Sequence, residues 1–192
     1  MRYIMLELIS FYSTKFLASK LNISEDAFSI YKYGFTLLYS MVFSAISICT
    51  LSFILFDSPI YAIIFIFVFV SIRIYSGGFH AKTYLSCFIL NNLFFLIIMY
   101  VALSMRDFYF LFPIFSLFSS FYIYRNTPVS NSFHPISQSK VVIYQRKTKF
   151  ILIIVLIITM TLYFVQSQLS LIMSLTTFLV ALLMIIVNKR EI

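Results

Sequence analysis

The sequence predicts an all-α protein that crosses a membrane several times. Hydrophobic residues make up 62% of its 192 residues and charged residues 10%, whereas soluble domains carry about 25% charged residues. The mean hydropathy is +1.02, and the apolar residues are gathered in long runs separated by short polar stretches. At this length we expect one membrane domain over residues 1–192, with no separate soluble domain.

Residues 1–33 are predicted to form an interfacial, amphipathic region. In their first half, apolar side chains recur at three- and four-residue intervals with charged residues between them, which is typical of a helix on the membrane surface. Glu7 interrupts the start of the chain, so the segment does not fit a cleavable signal peptide. Ser24, followed by two acidic residues, predicts a second, short helix that ends near Gly34.

Six apolar runs follow within residues 35–187, and we predict that each forms a transmembrane helix. A crossing helix needs about 20 apolar residues, with about 17 as a lower limit. The second run is too short to span unless Ile74 and Tyr75 extend it. It could therefore be tilted, thin the bilayer locally, or re-enter the side from which it came. The six runs are Phe35–Phe56, Ile60–Ile72, Tyr84–Leu103, Phe108–Tyr124, Phe150–Val165 and Leu169–Val187.

The net charge of +8 comes from 14 Lys and Arg against 6 Asp and Glu. The basic residues cluster in the N-terminal segment, in residues 73–83, in residues 125–149 and near the C-terminus, whereas the other connections are nearly neutral. With six crossings these basic segments share one side, which the positive-inside rule makes cytoplasmic, together with both termini. The lipid bilayer and its anionic headgroups are then the partners of the positive charge, and no nucleic-acid partner is expected.

The stretch Arg73–Cys87, R-I-Y-S-G-G-F-H-A-K-T-Y-L-S-C, holds the residues that can carry chemistry. A cysteine with a histidine is the minimal set for thiol catalysis, because imidazole takes the thiol proton and returns one to the leaving group. In one continuous helix His80 and Cys87 would lie about 10 Å apart along the axis, so the backbone must bend between them. Gly77 and Gly78 permit positive φ angles just before the histidine.

A helix that starts at Tyr84 with Thr83 as its cap would place Cys87 in its first turn. The exposed N–H groups of that turn and the nearby Lys82 would favour a thiolate. The alternative is that Cys87 is an inert packing residue, which is the usual role of a cysteine in an apolar helix. Cys49, which has only apolar and small neighbours at helical spacing, is predicted to have that packing role.

The pattern R-x-Y-S-G-G-x-H-A-x-T-x-x-x-C resembles that of the accessory gene regulator B (AgrB) family. These are bacterial membrane cysteine endopeptidases that process quorum-sensing propeptides. The resemblance implies that Cys87 is the nucleophile and His80 its base, with Arg73 and Gly78 at positions that the family needs. It also implies a homodimer in the bacterial cell membrane and, as substrate, a small AgrD-like propeptide with an amphipathic start and an acidic tail.

The resemblance also implies a reaction at the cytoplasmic face. Cys87 attacks a peptide bond near the C-terminal end of the propeptide, releases the tail and forms an acyl-thioester. A nucleophile of the peptide, typically its own cysteine, then captures the acyl group as a cyclic thiolactone or lactone. Backbone N–H groups around Gly77 and Gly78 can form the oxyanion site, and we expect no cofactor and no metal.

Several further residues are candidates for supporting or substrate-binding roles. Asn91 follows Cys87 by four residues on the same helical face, where it can orient His80 or join helices, the commoner use of a membrane asparagine. Arg73 and Lys82 can bind an acidic peptide or serve as ordinary anchors at the membrane surface. The basic residues expected to attract the acidic tail are Arg146, Lys147 and Lys149.

Two functions of other classes fit parts of the sequence. A small transporter would need polar residues in mid-membrane, and Asn91 and Asn92 are the only strong candidates. A non-catalytic membrane scaffold explains everything except the Gly-Gly-x-His…Cys cluster. The sequence therefore favours the endopeptidase, with His134 as a second candidate base.

Overall fold

A computed structural model describes residues 2–21, 24–78, 83–129, 138–165 and 168–188. Within these ranges the chain forms seven α-helices, one 3-10 helix and no β-strand, which confirms the predicted all-α class. The 3-10 helix, Arg106–Leu111, precedes the fifth α-helix. The α-helices are α1 (Arg2–Leu21), α2 (Glu25–Phe56), α3 (Ile60–Ser76), α4 (Tyr84–Ser104), α5 (Phe112–Asn126), α6 (Gln138–Phe164) and α7 (Gln168–Asn188).

Four of the described helices, α2, α4, α6 and α7, are long and apolar enough to cross a membrane. The helix α3 is apolar but has only 17 residues, and α5 has 15. At 1.5 Å per residue these two are about 25 and 22 Å long, against a hydrocarbon core of about 30 Å. The structure therefore supports a multi-helix membrane protein, and the full set of six crossings stays a prediction.

Three helix boundaries differ from those predicted. No helix ends near Gly34, because α2 continues through it for 32 residues. This glycine has open space around it and costs only about 1 kcal/mol in a helix. The fourth apolar run is kinked at Phe108, and α5 begins after the kink with Pro113 in its first turn, where proline is well tolerated. The last difference is in α6, which begins at Gln138 rather than near Phe150.

The core lies where α7 packs against α5 and α3, with α4 and α6 completing it. Buried serines on both α5 and α7, among them Ser116 and Ser174, allow close approach of helix backbones in a membrane. The outermost described helix, α1, packs mainly on α2, where the hydroxyl oxygens of Ser13 and Tyr39 lie 2.6 Å apart. Much of its apolar surface, including Tyr12, is exposed.

Contacts between helix ends define two ends of this bundle. At one end the Val129 N–H, just after α5, donates to the Ser76 carbonyl at the end of α3 at 2.9 Å. At the other end the Tyr61 hydroxyl, at the start of α3, donates to Gln168 Oε1, at the start of α7, at 3.4 Å. The C-terminal ends of α3 and α5 therefore lie at the same end of the bundle, as the predicted orientation requires.

This arrangement predicts which positions an impermeant thiol reagent reaches. In a protein whose two cysteines are replaced by alanine, we expect Ser104→Cys, at the far end of α4, to be labelled from outside intact cells. Lys140→Cys, in the first turn of α6, should be labelled only after lysis, because the positive-inside rule puts the basic end in the cytoplasm. Both positions are exposed. External labelling of Lys140→Cys in intact cells would contradict the predicted orientation.

Candidate active site

Cys87 lies in the first turn of α4, as the sequence predicts. Thr83 is the N-cap, and its Oγ1 accepts a hydrogen bond from the Ser86 backbone N–H at 3.2 Å. The Cys87 N–H donates to the Thr83 carbonyl at 3.0 Å, so the cysteine belongs to a closed helical turn. Its half-buried side chain is thereby held near the positive dipole end of the helix.

Arg73 brings a positive charge to this thiol from the last turn of α3. Its guanidinium is close enough to Cys87 for an electrostatic interaction, so the two residues that open and close the predicted stretch lie in the same region of the fold. The guanidinium carbon also lies 4.9 Å from the centre of the Phe69 ring, a cation–π contact on its own helix. Cys87 therefore lies between the start of one helix and a cation on another.

Asn91 lies one turn after Cys87 on the same face of α4. Its Nδ2 donates to the Cys87 Sγ at 3.8 Å. The adjacent Asn92 joins helices instead, because it accepts a hydrogen bond from the Ser47 hydroxyl of α2 at 2.9 Å. The sequence left two uses of Asn91 open, orienting His80 or joining helices. Its described hydrogen bond goes to the Cys87 thiol, and the orientation of His80 stays a prediction because that residue lies outside the described ranges.

Gly77 and Gly78 form the bend after α3, with φ angles of 75° and 113°. The Gly77 N–H donates to the Arg73 carbonyl at 3.2 Å, so it closes the helix and is not available as an oxyanion donor. The Val129 backbone crosses Gly77 so closely that a Cβ atom there would collide with the Val129 carbonyl oxygen. A Cβ atom at Gly78 would make only an ordinary contact, 3.5 Å from Met184 Cγ.

Three predicted site residues, His80, Lys82 and His134, lie outside the described residues. The first two belong to the connection of residues 79–82, which joins the bend after α3 to Thr83, the cap of the helix that carries Cys87. His134 belongs to residues 130–137, which follow Val129. Their roles therefore stay predictions.

The predicted substrate-binding residues of α6 lie beside the ends of α3 and α5. Lys147 Nζ is 4.9 Å from the centre of the Tyr75 ring, and Lys149 Nζ is 4.3 Å from that of Tyr124. These cation–π contacts brace α6 against both helices, while Arg146 is exposed. Sequence spacing gave no sign of the tyrosine contacts, because they depend on how separate helices meet.

A cavity of about 350 Å³ lies between α1, α2 and α4. On the α4 side its walls are Tyr84, Leu85 and Phe88, which flank Cys87 in the chain. Phe43 of α2 and Leu6 of α1 are among the apolar side chains on the other walls. Cavities of this size and character can take apolar parts of a ligand, so the structure offers an apolar site beside the first turns of α4.

The remaining chemistry-bearing groups are few. In the part of the chain that the structure describes, no group of three or more His, Cys, Asp or Glu is placed to hold a metal ion. Both cysteines are free thiols. Cys49 packs against the hydrophobic core, as predicted for a packing residue, so Cys87 is the thiol with polar surroundings.

A bundle of apolar helices with a thiol at a capped helix start, near a guanidinium and an amide, defines a membrane protein with a candidate thiol active site. The sequence profile of the accessory gene regulator B family matches residues 10–187. The chain belongs to this family, which suggests involvement in the processing of quorum-sensing propeptides. No curated protein and no solved structure matched the chain.

The close approach at Gly77 predicts different outcomes for two glycine substitutions. Gly77→Ala should destabilise the protein, because the new Cβ collides with the Val129 carbonyl and a positive φ costs a non-glycine residue about 1–3 kcal/mol. We expect the apparent Tm in detergent to fall by about 5 °C or more. Gly34→Ala is the matched control, since open space surrounds that glycine in α2. It should be neutral or stabilise the helix by up to about 1 kcal/mol. Equal apparent Tm values for the two variants would contradict the account.

Proposed function

We propose that this protein is a membrane-embedded cysteine endopeptidase. It removes the C-terminal tail from a small AgrD-like propeptide with an amphipathic start and promotes cyclisation of the remaining part. The observation that carries the proposal is the environment of Cys87, which combines a capped helix start, the charge of Arg73 and the Asn91 amide. Membership of the accessory gene regulator B family supports it.

In the first step of the proposed reaction, His80 takes the thiol proton and the Cys87 sulfur attacks the carbonyl carbon of the scissile peptide bond. The C–N bond then breaks. The tail leaves as an amine that receives a proton from His80, and the rest of the propeptide is held as a thioester on Cys87. The capped start of α4 and Arg73 contribute by stabilising the thiolate that attacks.

In the second step a thiol or hydroxyl of the bound peptide attacks the thioester carbonyl. The new S–C or O–C bond closes a thiolactone or lactone ring, the bond to Cys87 breaks, and the sulfur regains its proton. Water competes with this capture, and hydrolysis would give a linear product. A site among apolar helices at the membrane edge supports capture, because it limits the access of water to the thioester.

Substrate binding is proposed to combine apolar and electrostatic contacts. The cavity between α1, α2 and α4 is suited to an apolar part of the propeptide, since its α4 wall adjoins Cys87. Arg146 is exposed and, among the residues that the structure describes, makes no ring contact like those of Lys147 and Lys149. With Lys82 it is a candidate for attracting an acidic tail. Each exposed charge contact is worth only about 0–1 kcal/mol, so several must act together.

The proposed setting is the cytoplasmic face of a bacterial cell membrane. A propeptide synthesised in the cytoplasm would reach the site there without crossing the bilayer. We further propose that the protein works as a homodimer, which rests on the family resemblance. The basic segments that follow α3 and α5 support the orientation.

The nucleophile assignment predicts a sharp contrast between the two cysteines. Purified protein in liposomes without an ion gradient should release the tail of a propeptide, which a transporter or scaffold would not do. Cys87→Ala should reduce the rate by at least about 1,000-fold, because the covalent step is lost. The matched control is Cys49→Ala, because Cys49 packs against the hydrophobic core. Its cleavage rate should stay within about twofold of the wild-type rate. Comparable cleavage by Cys87→Ala with unchanged insertion would refute the proposed function.

A further inference from the structure

The adjacent residues Asn91 and Asn92 have different hydrogen-bonding environments. Both ends of the Asn92 amide have partners, because Oδ1 accepts from the Ser47 hydroxyl and Nδ2 donates to the Phe88 carbonyl at 2.8 Å. The Asn91 Nδ2 donates to Cys87 Sγ at 3.8 Å, while its Oδ1 is buried and has no hydrogen-bond partner among the described residues. Asn92 therefore fits a role in packing, and Asn91 does not.

An incompletely paired amide is unfavourable inside an apolar bundle. Burying a polar group without a partner costs free energy, and buried polar groups in proteins are nearly always paired. A leucine at position 91, which has the same branching and the same number of side-chain heavy atoms, would avoid that penalty. The described contacts of Asn91 therefore point to a function at the sulfur that it touches.

We infer that Asn91 belongs to the active site and stabilises the Cys87 thiolate by donating a hydrogen bond through Nδ2. The inference rests on the proposed role of Cys87 as the nucleophile. A hydrogen bond to an ionised acceptor is roughly twice as strong as one between neutral groups, so a donor at the sulfur favours the thiolate over the thiol. The donor also fixes the direction of the sulfur relative to α4.

Other charged and titratable groups act on the same end of α4. Arg73 interacts with Cys87 from α3. From α2 and α1, Tyr33 and Glu7 interact electrostatically with Tyr84, which lies three residues before the cysteine. Two predicted members of the site, at positions 80 and 82, lie outside the described residues. Because Arg73 and the helix start still favour the thiolate, loss of Asn91 should reduce the stabilisation of the thiolate without abolishing it.

The test is the rate at which iodoacetamide alkylates Cys87 as a function of pH, in full-length Cys49→Ala protein in detergent. In this reaction the thiolate displaces iodide from the reagent, so the rate reports the thiolate without any propeptide. Asn91→Ala should shift the midpoint to higher pH and slow alkylation about threefold to tenfold at neutral pH. Asn91→Asp should shift it further, because it removes the donor and can add a negative charge beside the sulfur.

Asn92→Ala is the matched control, because it breaks the contact to α2 without removing a group from the sulfur. Its midpoint should equal that of the parent protein even if its apparent Tm falls. If Asn91→Ala and Asn91→Asp have the same midpoint as Asn92→Ala, the inference is wrong. This holds even if both Asn91 variants have lost propeptide cleavage. A different result would contradict the proposed function, namely propeptide cleavage by the Cys87→Ala variant.

Discussion

The close approach of two backbones at Gly77 is the constraint on which the site end of the molecule depends. The Val129 N–H donates to the Ser76 carbonyl, and the Val129 carbonyl occupies the space that a side chain at Gly77 would fill. The same segment is tied to α6, because the Thr127 hydroxyl donates to Thr148 Oγ1 at 3.3 Å. Three helices are thereby joined at the place where the chain leaves α3 for the start of α4.

The proposed reaction requires the candidate site to hold a thiolate inside an apolar bundle. A charged group in such surroundings is expensive unless other groups compensate it. Around Cys87 the compensation comes from the capped start of α4, the guanidinium of Arg73 and the amide of Asn91. The proposed chemistry depends on the polarity that these groups provide at one helix end. In the proposed reaction the apolar exterior would also limit the access of water, which favours capture of the thioester by the peptide.

Features fixed by local chemistry were predictable from the sequence, whereas those fixed by packing were not. The cap at Thr83 and the position of Cys87 in the first turn follow from residue types and short-range hydrogen bonds. The continuity of α2 through Gly34 was missed, because a single glycine in a long apolar helix is tolerated. The crossing of Val129 over Gly77 carries no local signal, although the clustering of two of the three glycines just before the site marked the place. That Asn91 faces the sulfur follows from its four-residue spacing within α4, whereas the contact of Asn92 with Ser47 depends on how α4 packs against α2.

The most direct test of the account is detection of the covalent thioester on Cys87. The substrate for this measurement is a propeptide whose internal nucleophile has been replaced by alanine, so that cyclisation cannot remove the acyl group. Intact-mass analysis of the purified protein should show an adduct with the mass of the propeptide without its tail, and hydroxylamine should remove it. The Cys87→Ala protein should show none. Tail release by the wild-type protein with no adduct at any time, or the same adduct on Cys87→Ala, would contradict the account.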